Sequence, residues 1–195
     1  MFNLTDKRGK RRRVIFGQAQ LDAKYGVILA AMDFEWTCRR AILALSKKPT
    51  VVIYENFTGE YSSFSGLAKA WQAEVLPVVE GACTLQELMD KNGSWNSVCD
   101  AMLCRNVIVH GTKSRVNEKE CRWAVCVLED ACDVISAFVE EHGKSIFERI
   151  GRARARKEMA EESKRGKILR LWHDRVGKKI AKYDEHHWIK TGMIY

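Results

Sequence analysis

Residues 94–111 read SWNSVCDAMLCRNVIVHG. Ser94 suits the start of a helix, because its hydroxyl can accept one of the N–H groups left free in the first turn. Gly111 suits the end, because glycine takes the left-handed conformation that commonly follows a last helical turn. Between them Trp95, Val98, Met102 and Val109 recur at helical spacing and predict a core-facing stripe. Arg105 and Asn106 stand in the gap of that stripe, where an apolar residue is expected, and Val107, Ile108 and Val109 follow in a row. A helix apolar on every side at one level is buried, either in its own domain or against a second chain. Burying an arginine is costly unless an anion compensates. Arg105 is therefore expected to have a carboxylate partner or to await an anionic ligand.

Helical patterns extend on both sides of this stretch. Asn117 followed by Glu120 is a capping-box spacing, and the helix it opens carries Trp123, Val127, Val134 and Phe138 before Gly143 ends it. Upstream, Thr84 with Glu87 is a second capping-box pair. Leu21, Tyr25, Ile28, Met32, Trp36 and Leu43 predict a long amphipathic helix over 20–47, ended by Pro49. Val51–Tyr54 reads as a short strand or extended turn, Tyr61–Gly66 as a loop, and a helix from Leu67 is stopped or kinked near Pro77. The 195 residues contain 2 prolines, no internal repeat and no glycine-rich phosphate loop. The fold class expected is all-α.

Charge divides the chain. Residues 1–13 carry six basic side chains and one acid, 14–151 a net −4, and 152–195 thirteen basic side chains and six acids. We read 1–17 as a basic N-terminal arm, disordered or loosely held through Lys7–Arg13 (KRGKRRR), 18–150 as the helical domain, and 151–195 as a basic helical extension. Two basic ends on a mildly acidic body point to a polyanion, and nucleic acid is the commonest one. No window approaches 18 uninterrupted apolar residues, and the first residues lead into no signal-peptide core, so neither a membrane span nor secretion is expected. The 7 cysteines lack zinc-ligand spacing and read as small hydrophobes in a reducing cytoplasm.

The chemistry-bearing group is Arg105, Asn106 and His110. Asn106 and His110 are four apart and share a helix face, and the long side chain of Arg105 can reach round to them. A histidine titrates near neutrality and can serve as general acid or base. An arginine beside it can hold a phosphate and stabilise a phosphorane. Lys113 and Arg115 follow at once and can add phosphate contacts. Such a set needs no metal or other cofactor to cleave RNA, because the ribose 2′-OH is an internal nucleophile.

Arg105-Asn106-Val107-Ile108-Val109-His110-Gly111 resembles the Arg-polar-x-x-x-His motif of the HEPN superfamily. These are all-helical domains, many of them metal-independent endoribonucleases of toxin–antitoxin, CRISPR-linked and anti-phage systems. The resemblance covers about residues 18–150 and implies a HEPN-like helical bundle with catalytic Arg105, Asn106 and His110. It also implies a homodimer whose two motifs face each other across one cleft, and an antitoxin or regulatory protein as a further partner.

Several residues lie outside that core. Glu35 and Arg39, an i,i+4 pair on the stripe Ile28, Met32, Glu35, Arg39, Ile42, are supporting candidates, with Glu35 placed to orient Arg105 or tune His110. Lys178, Lys179 and Lys182, near Tyr183 and Trp188, suit RNA backbone contacts and base stacking, and equally suit the solvated face of an amphipathic helix. Asp130 and Asp133 come with no histidine at ligand spacing, so no metal site is assigned to them. The rival to the nuclease is a non-catalytic helical RNA- or DNA-binding module with a degenerate HEPN-like fold, in which Glu35 pairs with a structural Arg105.

Overall fold

Asp22 divides what the hydrophobic periodicity reads as a single helix start. Its backbone N–H closes one helix on Gln18 (2.8 Å), and its carboxylate caps the next by accepting from the N–H groups of Lys24 (2.9 Å) and Tyr25 (3.2 Å). The computed structural model describes residues 7–111 and 116–147. Among these residues there are seven helices and no strand: α1 Arg8–Leu21, α2 Ala23–Leu45, α3 Thr50–Thr58, α4 Phe64–Glu74, α5 Leu85–Asn92, α6 Trp95–His110 and α7 Glu118–Glu141. The protein is all-α. No helix among the described residues is long and apolar enough to cross a membrane.

The expected caps form. Thr84 and Glu87, and Asn117 and Glu120, make reciprocal capping boxes at the starts of α5 and α7. Ser94 accepts from the N–H of Ser97 at the start of α6, and Gly111 ends that helix with φ +61°. The Val51–Tyr54 run, expected to be extended, is part of α3. Pro49 accepts from the N–H groups of Val52 and Ile53 at the start of that helix, and Ile53 and Phe57, four apart, are both buried. Burial of an i,i+4 pair outweighs the β preference of a short β-branched run.

Three pairs of contacts fix the directions of the long helices. Asp22 and Lys24 lie by Cys121, Asp33 lies by Glu129 and Cys132, and the Arg40 Nε donates to the Ile146 carbonyl (2.9 Å). Both chains advance together, so α2 and α7 run parallel. α6 runs the other way along α7, with Cys104 beside Cys121 and Val98 near Val134. The core between them holds Phe34, Ile42, Leu128, Ile135 and Trp71, whose indole donates to the Cys83 carbonyl (3.0 Å).

The largest departure from expectation is at the N-terminus. The arm Lys7–Arg13 is not loosely held: from Arg8 onward it is the first part of α1, which packs antiparallel on α2, with Arg11, Ile15 and Ala19 buried at four-residue spacing. The reason is charge pairing across the bundle. Arg8 Nη1 meets Glu129 (2.6 Å) and Asp33 (3.2 Å), Arg11 Nε meets Asp33 (2.6 Å), and Arg12 pairs with Asp133 and Asp130. Arg11, Asp33 and Glu129 have no exposed surface, and Arg11 also lies 4.6 Å from the Trp36 ring centroid.

Where α1 crosses α2, Gly26 leaves no room for a side chain. A Cβ there would come within 2.5 Å of the Ala19 Cβ and 2.7 Å of its Cα. Gly26→Ala is expected to cost about 1–3 kcal/mol, because relief requires the two helices to separate. Urea unfolding followed by helical circular dichroism measures this, and an unchanged midpoint would mean that α1 yields freely.

Candidate functional site

α6 is buried in its first half and emerges in its second. Val98, Ala101 and Met102 are buried, and the helix end beyond them is not. Arg105, Val107 and Ile108 are half-buried, while Leu103, Asn106, Val109 and His110 are exposed. This corrects the expectation that the helix is sealed all round at the level of Arg105. Ile108 packs against the core, Val107 is half-buried, and Val109 faces outward.

The motif residues stand at this open end. Arg105 has no carboxylate partner among the described residues. Its Nη1 donates to the Asn106 Oδ1 (3.0 Å), and its Nε is buried without any acceptor. The hydrogen bond draws the guanidinium round the helix toward the face that Asn106 and His110 share. His110 occupies the last turn, directly before the left-handed Gly111. The three side chains therefore lie at one exposed helix end, with donor capacity on Arg105 unspent.

Glu35 and Arg39 are not joined to that group. Both are half-buried on α2, and no ion pair or hydrogen bond among the described residues links Glu35 to Arg39, Arg105 or His110. The Arg39 guanidinium lies 5.7 Å from the Phe57 ring centroid instead. Lys113, Arg115, Lys178, Lys179 and Lys182 lie outside the described residues, as does the whole extension 151–195.

A groove of about 600 Å³ runs from Asn106 along α6 to α4 and the start of α5. Phe64 and Trp95 are stacked at one end of it, with ring centroids 5.3 Å apart and planes 22° apart. Leu103 and Lys69 also line it.

A second polar group, between α1, α2 and α7, was not among the sequence candidates. Ligand atoms of Asp33, Glu129 and Cys132 lie within 4.8 Å of one another, a donor set able to hold a metal ion. Here the guanidiniums of Arg8 and Arg11 supply the positive charge. Asp130 and Asp133 are taken by arginines in the same way. Burial keeps the Cys132 thiol protonated well above its usual range.

Burial also pushes the Glu129 carboxyl up to about 6, against the pull of Arg8, and raises Asp33 against the pull of Arg11 and Arg8. One Glu129 oxygen, Oε1, has no hydrogen-bond donor, which fits a dominant desolvation cost. The folded state therefore holds this proton more tightly than the unfolded chain. The stability so gained is complete below pH 4.5 and is lost as pH rises through about 6. Its size is about 2 kcal/mol. Glu129→Gln cannot titrate, so its urea midpoint should gain on that of the wild type across this pH window. Parallel midpoints would show that Glu129 ionises normally.

No family model, curated protein or solved structure matches the chain.

Proposed function

We propose that this protein is a metal-independent endoribonuclease of the HEPN type, acting as a homodimer. The observation that carries the reading is the presentation of Arg105, Asn106 and His110 together at an exposed helix end, with the buried Arg105 Nε unpartnered. A desolvated guanidinium nitrogen with no acceptor is unfavourable unless something anionic arrives. A phosphate supplies the acceptor and the charge, and Arg105 can meet it with a fork of donors.

The reaction follows from the groups present. The imidazole of His110 takes the proton of a ribose 2′-OH, and the oxygen attacks the adjacent phosphorus. Arg105 stabilises the charge that builds on the phosphorane, and Asn106 holds the guanidinium in place through its Oδ1. The P–O5′ bond breaks, the leaving oxygen takes a proton, and the products are a 2′,3′-cyclic phosphate and a 5′-hydroxyl. In a dimer with two motifs facing one cleft, the second His110 gives that proton. Exposed Val109, beside half-buried Val107 and away from the groove that Asn106 lines, supports a partner chain at this end.

Incubation of the full chain with total RNA in excess chelator, beside His110→Ala, tests the reading. Cleavage that survives the chelator and is lost in the variant is expected. No cleavage, or cleavage indifferent to the substitution, overturns it in favour of a non-catalytic nucleic-acid-binding module.

A further inference from the structure

We infer that the groove between α4 and α6 is a nucleotide subsite that receives an unpaired base and its phosphate from single-stranded RNA, next to the bond to be cut. The inference rests on the nuclease reading for its place in the reaction, and on the groove itself for its chemistry.

Three observations favour this occupant. The first is charge. Lys69 is exposed on the groove wall, with no ion pair among the described residues, and no carboxylate lines the groove. Two other cavities of the bundle are lined by Asp130, and by Asp133 and Glu141, with no cation among their lining residues. Of the three, only the first groove offers a phosphate a cation on its wall with no carboxylate beside it. The second is surface chemistry. Half-buried Trp95 and exposed Leu103 offer apolar area to a base, and Gln72 and Gln86 offer amides to its polar edge. Stacking on an aromatic ring is tolerant of base identity, while amides can discriminate. The third is continuity. Asn106 lines the groove and also accepts from Arg105, so a strand with a base in the groove passes directly to the guanidinium. A volume of about 600 Å³ lies in the range, roughly 300–1,000 Å³, of sites for molecules of nucleotide size.

Duplex RNA does not fit this description, because its bases are stacked and its major groove is too narrow for side chains to read. The subsite therefore makes the substrate a loop, bulge or unpaired tract.

The test uses full-length His110→Ala protein and a short single-stranded oligouridylate carrying 4-thiouridine. Ultraviolet cross-links should map to peptides spanning 64–72 and 95–106. Lys69→Glu in the same background should weaken binding roughly tenfold and make the salt dependence shallower by about 0.7 in log–log slope, as for one lost phosphate contact on a single strand. Trp95→Ala should weaken it about 5- to 100-fold. Lys69 is exposed, so Lys69→Glu remains decisive should Trp95→Ala fail to fold. Cross-links confined to other peptides, with Lys69→Glu within twofold of its parent, overturn the subsite whether or not the wild type cleaves RNA. Cross-links in the groove of a protein that cleaves nothing uphold the subsite and overturn the nuclease. A Leu103→Glu change that alters oligomeric mass and leaves RNA affinity unchanged assigns the groove to a second copy of the chain, and also overturns the subsite.

Discussion

Asp33→Ala is expected to lower the unfolding free energy by about 3–5 kcal/mol, the usual cost of breaking a buried ion pair from one side. Asp33 is fully buried on α2 and faces two guanidiniums of α1, Arg11 at 2.6 Å and Arg8 at 3.2 Å. Removing its carboxylate takes from the wholly buried Arg11 the acid it meets at 2.6 Å, and the face of Trp36 attracts a cation without replacing that charge. That Asp33 is itself harder to ionise than usual does not weaken the expectation. A pair can be costly to bury as a whole and still be costlier to break, because the survivor keeps its desolvation penalty and loses its counter-charge. Asp33→Asn, which keeps the shape and loses the charge, should fall between wild type and Asp33→Ala. Asp130→Ala is the control. Its partner Arg12 lies 3.4 Å away and keeps Asp133 when Asp130 is removed, and the Asp130 side chain is largely solvated, so a change within about 0.5 kcal/mol is expected. Urea unfolding of the three variants at neutral pH reads this directly. A loss of under 1 kcal/mol for Asp33→Ala would show that α1 is held by its apolar stripe alone.

The same cluster explains what could and could not be read from the chain. The caps at Ser94, Thr84 and Asn117 were legible because each is a contact between residues three apart. The starts of α5, α6 and α7 followed from them, and the end of α6, hence the position of the motif on a helix terminus, followed from the left-handed Gly111. KRGKRRR reads as an arm because a run of like charges is ordinarily solvated. Their partners lie 22, 25 and 121 residues away, on helices whose juxtaposition no local rule supplies. A signal was present nonetheless. Asp33 sits between Ala30, Ala31 and Phe34, and Glu129 follows Leu128 on the buried face of α7, so each is an acid on a core stripe that requires a cation. Arg8, Arg11 and Arg12, at three- and four-residue spacing, offer three cations on one helix face.

At the candidate site, the sequence placed the residues but not their exposure. Val107-Ile108-Val109 implies that something covers the helix without saying which chain provides it. The Glu35–Arg39 pairing was an inference from spacing alone. Spacing permits an i,i+4 pair but does not outweigh the other surfaces within reach of a long side chain, here the ring of Phe57.

His110→Ala is expected to abolish RNA cleavage, by a factor of about 10²–10⁴, while leaving the fold intact. The two halves of this expectation have separate physical grounds. His110 is exposed in the last turn of α6 and makes no side-chain hydrogen bond among the described residues, so its removal should change stability by no more than about 0.5 kcal/mol. Removing the base leaves the 2′-OH to lose its proton to water, and Arg105 alone cannot replace that step, since a guanidinium stays protonated. The contrast with Asp33→Ala is diagnostic: one substitution is expected to disable chemistry in a stable protein, the other to destabilise a protein whose site residues are untouched. The openness of the site adds a readout that a structural role would not move. Free imidazole in the buffer can enter where the side chains were, its unprotonated form replacing the base and its protonated form the acid, and should restore part of the cleavage by His110→Ala most strongly where both forms are present. Gel analysis of a labelled single-stranded oligoribonucleotide in chelator, with and without imidazole, measures this. Loss of activity that imidazole does not restore, together with a lowered urea midpoint, would assign His110 to holding the helix end and remove it from the reaction.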